Sequence, residues 1–286
     1  MSSEMTVREE DSIVPAGVPS RSFIEAQTRG EVDIQISTAK QFPRSIKKFA
    51  GDAMSLATLD EETAASCFYS LPRDGKNVEG PSARLAEIVS SCWGNMRSQA
   101  NIVDMDDKFV TARGVTWDLE KNVAVSTEVK RRITNKQGRK FSDDMIVTTS
   151  NAACSIALRN AVFKVVPMAL VRPVYLKARE VAIGDAQTLS SRRQKMVEYF
   201  GKMGVSPEKV SARVGKASIE DVTVDDLAVL IGLSTAIKEG DTNVDEAFPT
   251  VEQATVDNGK TRSEKLADKV KSQKTIDVPR QPGEDG

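Results

Sequence analysis

Residues 129–179 read VKRRITNKQGRKFSDDMIVTTSNAACSIALRNAVFKVVPMALVRPVYLKAR. Eleven of them are Lys or Arg and two, Asp143 and Asp144, are acidic, a local charge of +9 in a chain whose formal net charge is −1, which leaves −10 for the rest. A surface built only for solubility interleaves its charges. A cationic strip on an acidic body points instead to a groove that guides a polyanion. Its residue order reads as a basic hairpin that feeds a phosphate-facing helix.

Working outward from this strip, Lys108–Leu119 and Val123–Ile133 are rich in Val, Thr, Ile and aromatics, and the break Glu120-Lys121-Asn122 is short enough to close a hairpin between two strands. Strand side chains alternate, so Val123, Val125, Thr127 and Val129 share one face while Glu128, Lys130 and Arg132 share the other. Asn135-Lys136-Gln137-Gly138 is turn-like, which predicts that Arg139–Val147 returns antiparallel. The cations Lys130, Arg131, Arg132, Lys136, Arg139 and Lys140 would then gather on one projecting finger.

A helix is predicted over Asn151–Val166, ended by Pro167. Ala152, Ile156, Val162, Phe163 and Val166 suit its packed side, whereas Thr148, Asn151, Ser155 and Arg159 recur at three- and four-residue steps as a row of hydroxyl, amide and guanidinium donors. Such donors hold a nucleic-acid strand by its phosphates and leave its bases unread. Ala152, Ala153 and Ala157 would let another backbone approach closely.

The remainder of the chain bounds the alternatives. No histidine is present, which removes Ser-His and Cys-His nucleophiles and imidazole acid-base work. Cys67, Cys92 and Cys154 are odd in number and far apart, and they read as small buried hydrophobes. No run of 18 apolar residues and no signal-peptide layout is seen, so a cytoplasmic protein without a membrane partner is expected. Gly75 and Gly80 have the separation of a phosphate-binding loop, but Pro81 stands where its lysine belongs, so this turn-rich stretch reads as a helix start.

Four parts are expected: a flexible N-terminal arm over 1–30, an α+β core with an antiparallel sheet and basic β-hairpin packed on helices over 31–185, a small all-helical partner-binding domain over 186–249, and a disordered tail over 250–286. Acids at Glu220, Asp221, Asp225, Asp226, Glu239, Asp241, Asp245 and Glu246 set the helical part against a DNA role. A chain ending near Gly184 is accordingly expected to keep its DNA activity.

A sheet with a basic hairpin, followed by a Ser/Thr/Ala-rich helix that carries Arg159 and Lys164 and stops at Pro167, resembles the core of phage single-strand annealing proteins of the RecT and Red-beta type. RRQKMVEYFGKMGVSPEKV and LSTAIKEGDTNVDEAFP resemble the C-terminal domains of phage recombination proteins. The resemblance covers roughly Glu31 to Phe248 and implies ATP-independent annealing of complementary single-stranded DNA, without a catalytic site. It also implies rings or helical filaments of many subunits, with the annealed duplex, a partner exonuclease and a host single-strand-binding protein as further partners. Carried over position by position, it marks Lys130, Arg131, Arg132, Lys136, Arg139, Lys140, Asn151, Ser155, Arg159 and Lys164 as DNA-backbone contacts. No required cofactor is expected, with Mg2+ as an optional ion. Two other readings remain open. Asp118, Glu128 and Lys130 match the spacing of a magnesium-dependent restriction-type nuclease, and a virion assembly or scaffold protein would account for oligomers and tails.

Overall fold

The structure is a computed structural model that describes residues 21–249, apart from 74, 75 and 136. The expectations for residues 1–20 and 250–286 therefore lie outside the described residues, as does the one for Lys136. The fold is α+β, as expected: a two-stranded and a three-stranded antiparallel sheet packed with helices, followed by a helical C-terminal region.

The strands predicted on either side of Glu120-Lys121-Asn122 form as β4 (Phe109–Asp118) and β5 (Val123–Arg132), paired antiparallel from Phe109↔Arg132 to Asp118↔Val123. Asn122 takes the left-handed turn, with φ 53. On the far side of β4 lies β3 (Met96–Met105), which carries a bulge between Ile102 and Asp104. The sheet order is thus β3-β4-β5.

The return strand over Arg139–Val147 is not formed. Beyond β5 a bridge joins Thr134 to Lys140, Gly138 supplies a positive φ in the turn, and the chain then enters the helix α5 (Asp143–Val165). Ser142 caps that helix by accepting from the Met145 N–H, and Asp143 and Asp144 sit in the first turn, where the exposed N–H groups favour negative charge. These start signals outweigh the β-like run Met145-Ile146-Val147. The helix ends at Val165, one residue before its C-cap Val166 and two before Pro167, where the sequence predicts a stop.

The small residues of α5 bring a backbone close, and that backbone is the protein's own. Ala153 and Ala157 are buried against Val110, Ala112 and Ile133, and the Thr127 hydroxyl donates to the Ala157 carbonyl at 2.7 Å. At Gly114 of β4 a side chain would run into the Ala157 carbonyl, so the glycine sets how closely α5 lies on the sheet.

Two other expectations need correction. Residues 21–30, assigned to the arm, belong to a helix, α1 (Arg21–Gln41), whose second half gains a packed side from Val32, Ile36 and the fully buried Ala39 at helical spacing. After α2 (Ile46–Ala57) and α3 (Glu61–Ser66), the turn-rich stretch folds as a hairpin, β1 (Phe68–Arg73) and β2 (Lys76–Pro81), although α4 (Ala83–Trp93) does start where a helix start was expected, with Ser82 as its N-cap.

The main core joins Phe49, Phe68, Leu85, Val89 and Trp93 to Val171 and Val174 of α6 (Met168–Ile183). A second cluster, around Phe200, Val205, Val210, Val222 and Phe248, is built by α7 (Leu189–Gly201), α8 (Pro207–Arg213), a 3-10 turn and α10 (Val244–Ala247). The helix α9 (Val224–Lys238) belongs to both. Leu227 and Ile231 enter the main core and Leu230 and Leu233 the second, while Gly232 lies against the backbone of Ser70. A chain ending near Gly184 would therefore lose part of its main core, so the expectation that it keeps function does not fit this packing. No helix among the described residues is long and apolar enough to cross a membrane.

Candidate nucleic-acid interface

Strand alternation and register sort the sheet into two faces. Val110, Ala112, Gly114, Thr116 and Asp118 of β4 are buried on the inner face, against α5 and the core. The outer face is laid out in cross-strand rows: Arg97–Trp117–Ala124, Gln99–Val115–Ser126, Asn101–Arg113–Glu128 and Asp104–Thr111–Lys130, with Phe109–Arg132 at the end. Every one of these side chains is exposed or half-buried. Four cations, Arg97, Arg113, Lys130 and Arg132, stand here against three acids, Asp104, Glu128 and Asp106, the last beside Lys130.

Local contacts set how available these cations are. Glu128 is engaged by Arg113, whose Nε and Nη2 donate to it at 2.9 and 2.7 Å. Lys130 lies 3.7 Å from Asp106 and 4.8 Å from the Phe109 ring centroid, with Arg132 5.4 Å from the same ring. The N–H groups of Lys108 and Phe109 hold the Asp106 carboxyl below its ordinary range, so it stays ionised beside Lys130. Arg97 donates to Gln35 of α1 at 3.1 Å. These are exposed pairs that water and salt screen, and an incoming phosphate can replace them.

Arg131 has the opposite fate. One step along β5 from Lys130 and Arg132, it turns inward, donates to the Gly240 carbonyl at 2.8 Å and lies 3.6 Å from the Asp241 carboxylate. Arg159 meets the same carboxylate at 3.4 Å and lies 4.8 Å from the Tyr69 ring centroid, with its side chain 10% exposed. Both arginines fasten the turn after α9 to the sheet and α5. Their assignment to DNA contact is replaced by a structural one, because a buried carboxylate already takes their charge.

The donor row on α5 is also separated from the sheet cations. Ser155 is two residues from both Ala153 and Ala157, about 200° around the helix, so the row containing Thr148, Asn151 and Ser155 lies off the side of α5 that packs on β4. Asn151 and Ser155 are exposed, and Ser155 lines a cleft of about 370 Å³ with Ser90, Ser91, Ser98 and Arg159. Lys164 is exposed in the last turn of α5, and Arg139 and Lys140 are exposed beyond β5. The predicted strip is thus split between two sides of the β5–α5 layer, with Lys130 and Arg132 together on the outer one.

The nuclease constellation does not assemble. Asp118 is on the inner face and 1% exposed, while Glu128 is on the outer face five residue pairs further along. Asp118 accepts from Arg44 Nη2 at 2.6 Å, from Trp93 Nε1 at 3.2 Å and from the N–H groups of Glu120 and Lys121 at 3.1 Å each. Burial works against its charge, but these hydrogen bonds and the Arg44 guanidinium outweigh burial and bring its pKa down to about 2. The carboxylate therefore serves as a structural anchor. At the N-terminus of α4, the Ala83 and Arg84 N–H groups both donate to Glu239 at 3.3 Å, so an internal carboxylate takes the place open to phosphate there. Burial pushes the Cys67 thiol up to about 12, in keeping with an inert core residue.

Four outer-face residues were missed in the sequence reading: Arg97, Arg113, Phe109 and Trp117. Their signal is the strand period, since Phe109, Arg113 and Trp117 share one face of a predicted strand, whereas the charge-rich stretch starts only at Val129. Comparison of the chain with protein-family models, curated proteins and solved structures finds no match in any of the three.

Proposed function

We propose that this chain binds single-stranded DNA along the outer face of the β3-β4-β5 sheet and anneals complementary strands without a nucleotide cofactor, as do the phage annealing proteins its sequence resembles. The observation that carries the reading is the set of outward cations Arg97, Arg113, Lys130 and Arg132 on a face whose opposite side is packed on α5. A rigid scaffold behind an open cationic face holds a phosphate backbone in place without reading bases. On this reading the chain performs no bond chemistry, works as an assembly of copies, and acts beside an exonuclease that exposes the strands and a host protein that coats them. Mg2+ would serve the DNA and not a protein site.

The test is to mix two labelled complementary oligonucleotides with the protein and Mg2+, without ATP, and to follow pairing and strand length together. Faster pairing with both strands intact is expected. Shortened strands, or pairing no faster than without protein, would overturn the reading.

A further inference from the structure

The outer face offers more than charge. Its central strand, β4, carries Trp117 near one end and Phe109 at the other, both outward and half-buried, eight residues or about 27 Å apart along an extended strand. Between them the floor is mostly polar: Gln99, Asn101, Thr111, Val115 and Ser126, with Arg113 covering the charge of Glu128. Asp104 and Asp106, with the exposed Asp107 in the adjoining turn, oppose a polyanion at the Phe109 end, where Lys130 and Arg132 answer them. Phe109 already lies under both of those cations, so its ring borders the cationic track.

We propose that Trp117 and Phe109 are stacking platforms for unpaired nucleobases, and that they make the outer face select single strands over duplex. This rests on the reading of that face as the DNA site. The chemistry is direct. Every base has a π-face to lay on an aromatic ring whatever its identity, so stacking tolerates any sequence, and an unpaired strand can turn its bases towards the protein while its phosphates meet Arg97, Arg113, Lys130 and Arg132. In a duplex the base faces are already stacked on one another and only phosphates remain to be held. The face would therefore grip a strand before pairing and loosen its hold once the partner strand has paired.

The chain has two tryptophans, and Trp93 is 1% exposed, so quenching by a bound base reports on Trp117. The experiment titrates the full chain with a short oligo(dT), with duplex DNA of the same length and with inorganic polyphosphate, following intrinsic fluorescence and, separately, affinity. Oligo(dT) should quench fluorescence, and polyphosphate should bind without quenching. Trp117→Phe should abolish the quench but keep most of the affinity, while Trp117→Ala should weaken oligo(dT) binding at least about five-fold and duplex binding hardly at all. Thermal unfolding of both variants checks that each is folded, and Phe109→Leu repeats the affinity test at the other platform. Salt-dependent oligo(dT) binding with no quench and unchanged affinity in Trp117→Ala would overturn stacking and leave the phosphate grip standing. Absence of any oligo(dT) binding would overturn the DNA reading itself. Dissociation of an assembly by Trp117→Ala, with no effect on DNA, would show that a second copy of the chain occupies this face.

Discussion

Lys130 and Arg132 on one side of β5 and Arg131 on the other are neighbours in sequence with the same charge, yet the structure uses them differently. The outer pair stands over Phe109 in solvent, while Arg131 is drawn in to the Gly240 carbonyl and Asp241, where Arg159 joins it. A run of cations on a strand is therefore two half-runs, and only the half facing away from the packed helix is available to a ligand. The same division runs through the whole three-stranded sheet: the inner face is packed against α5 and the core, and the outer face is exposed or half-buried.

The largest expected effect breaks the inner face. Gly114→Val places a side chain against the Ala157 carbonyl and should cost about 3 kcal/mol or more in urea unfolding, whereas Val115→Ala, its outward neighbour, should cost about 1 kcal/mol or less. Equal losses would mean that the two faces are not distinct. Next in size, Arg131→Ala strips the buried Asp241 of one cation and frees the Gly240 carbonyl, an expected loss of about 2 kcal/mol. Lys130→Ala or Arg132→Ala, measured in the same way, should stay within about 0.5 kcal/mol.

Asp118 sharpens the inner side by pH. Its carboxyl is held well below the unfolded value, at about 2, so its contribution to stability is complete above about pH 4 and is lost as pH falls through that window towards 2. Asp118→Asn should lower stability at pH 7 and flatten this acid dependence. A variant that keeps the full acid dependence would show that other carboxylates cause it. The smallest effect belongs to Glu128 on the outer face: Glu128→Ala removes an anion and releases Arg113, so affinity for a single strand, measured by anisotropy at low salt, should stay level or rise up to about two-fold. A loss of affinity there would mean that Glu128 positions Arg113 for its ligand.

How far the chain could be read in advance follows the range of its signals. The β4–β5 hairpin was legible because alternation and a short break are local, and the end of α5 because Pro167 is a local stop. The start of α5 was obscured by Met145-Ile146-Val147, whose β-like character hid the cap at Ser142. β1 and β2 were hidden by Pro72, Gly80 and Pro81, residues that mark turns more often than strands. The fates of Arg131 and Arg159 could not be read locally, since Gly240 and Asp241 lie 109 and 82 residues away from them, respectively. Outward and inward positions on β5 were correctly separated by period, but which of them would find a distant carboxylate depends on how α9 packs.

The central claim, that the outer face binds phosphates and the inner face does not, is tested most directly by the salt dependence of single-strand affinity in Lys130→Ala/Arg132→Ala beside the wild type. Each lost phosphate contact removes roughly 0.7 from the slope of log affinity against log salt, so the double variant should lose about 1.4 while its unfolding midpoint hardly moves. A slope equal to that of the wild type in a folded double variant would contradict the account.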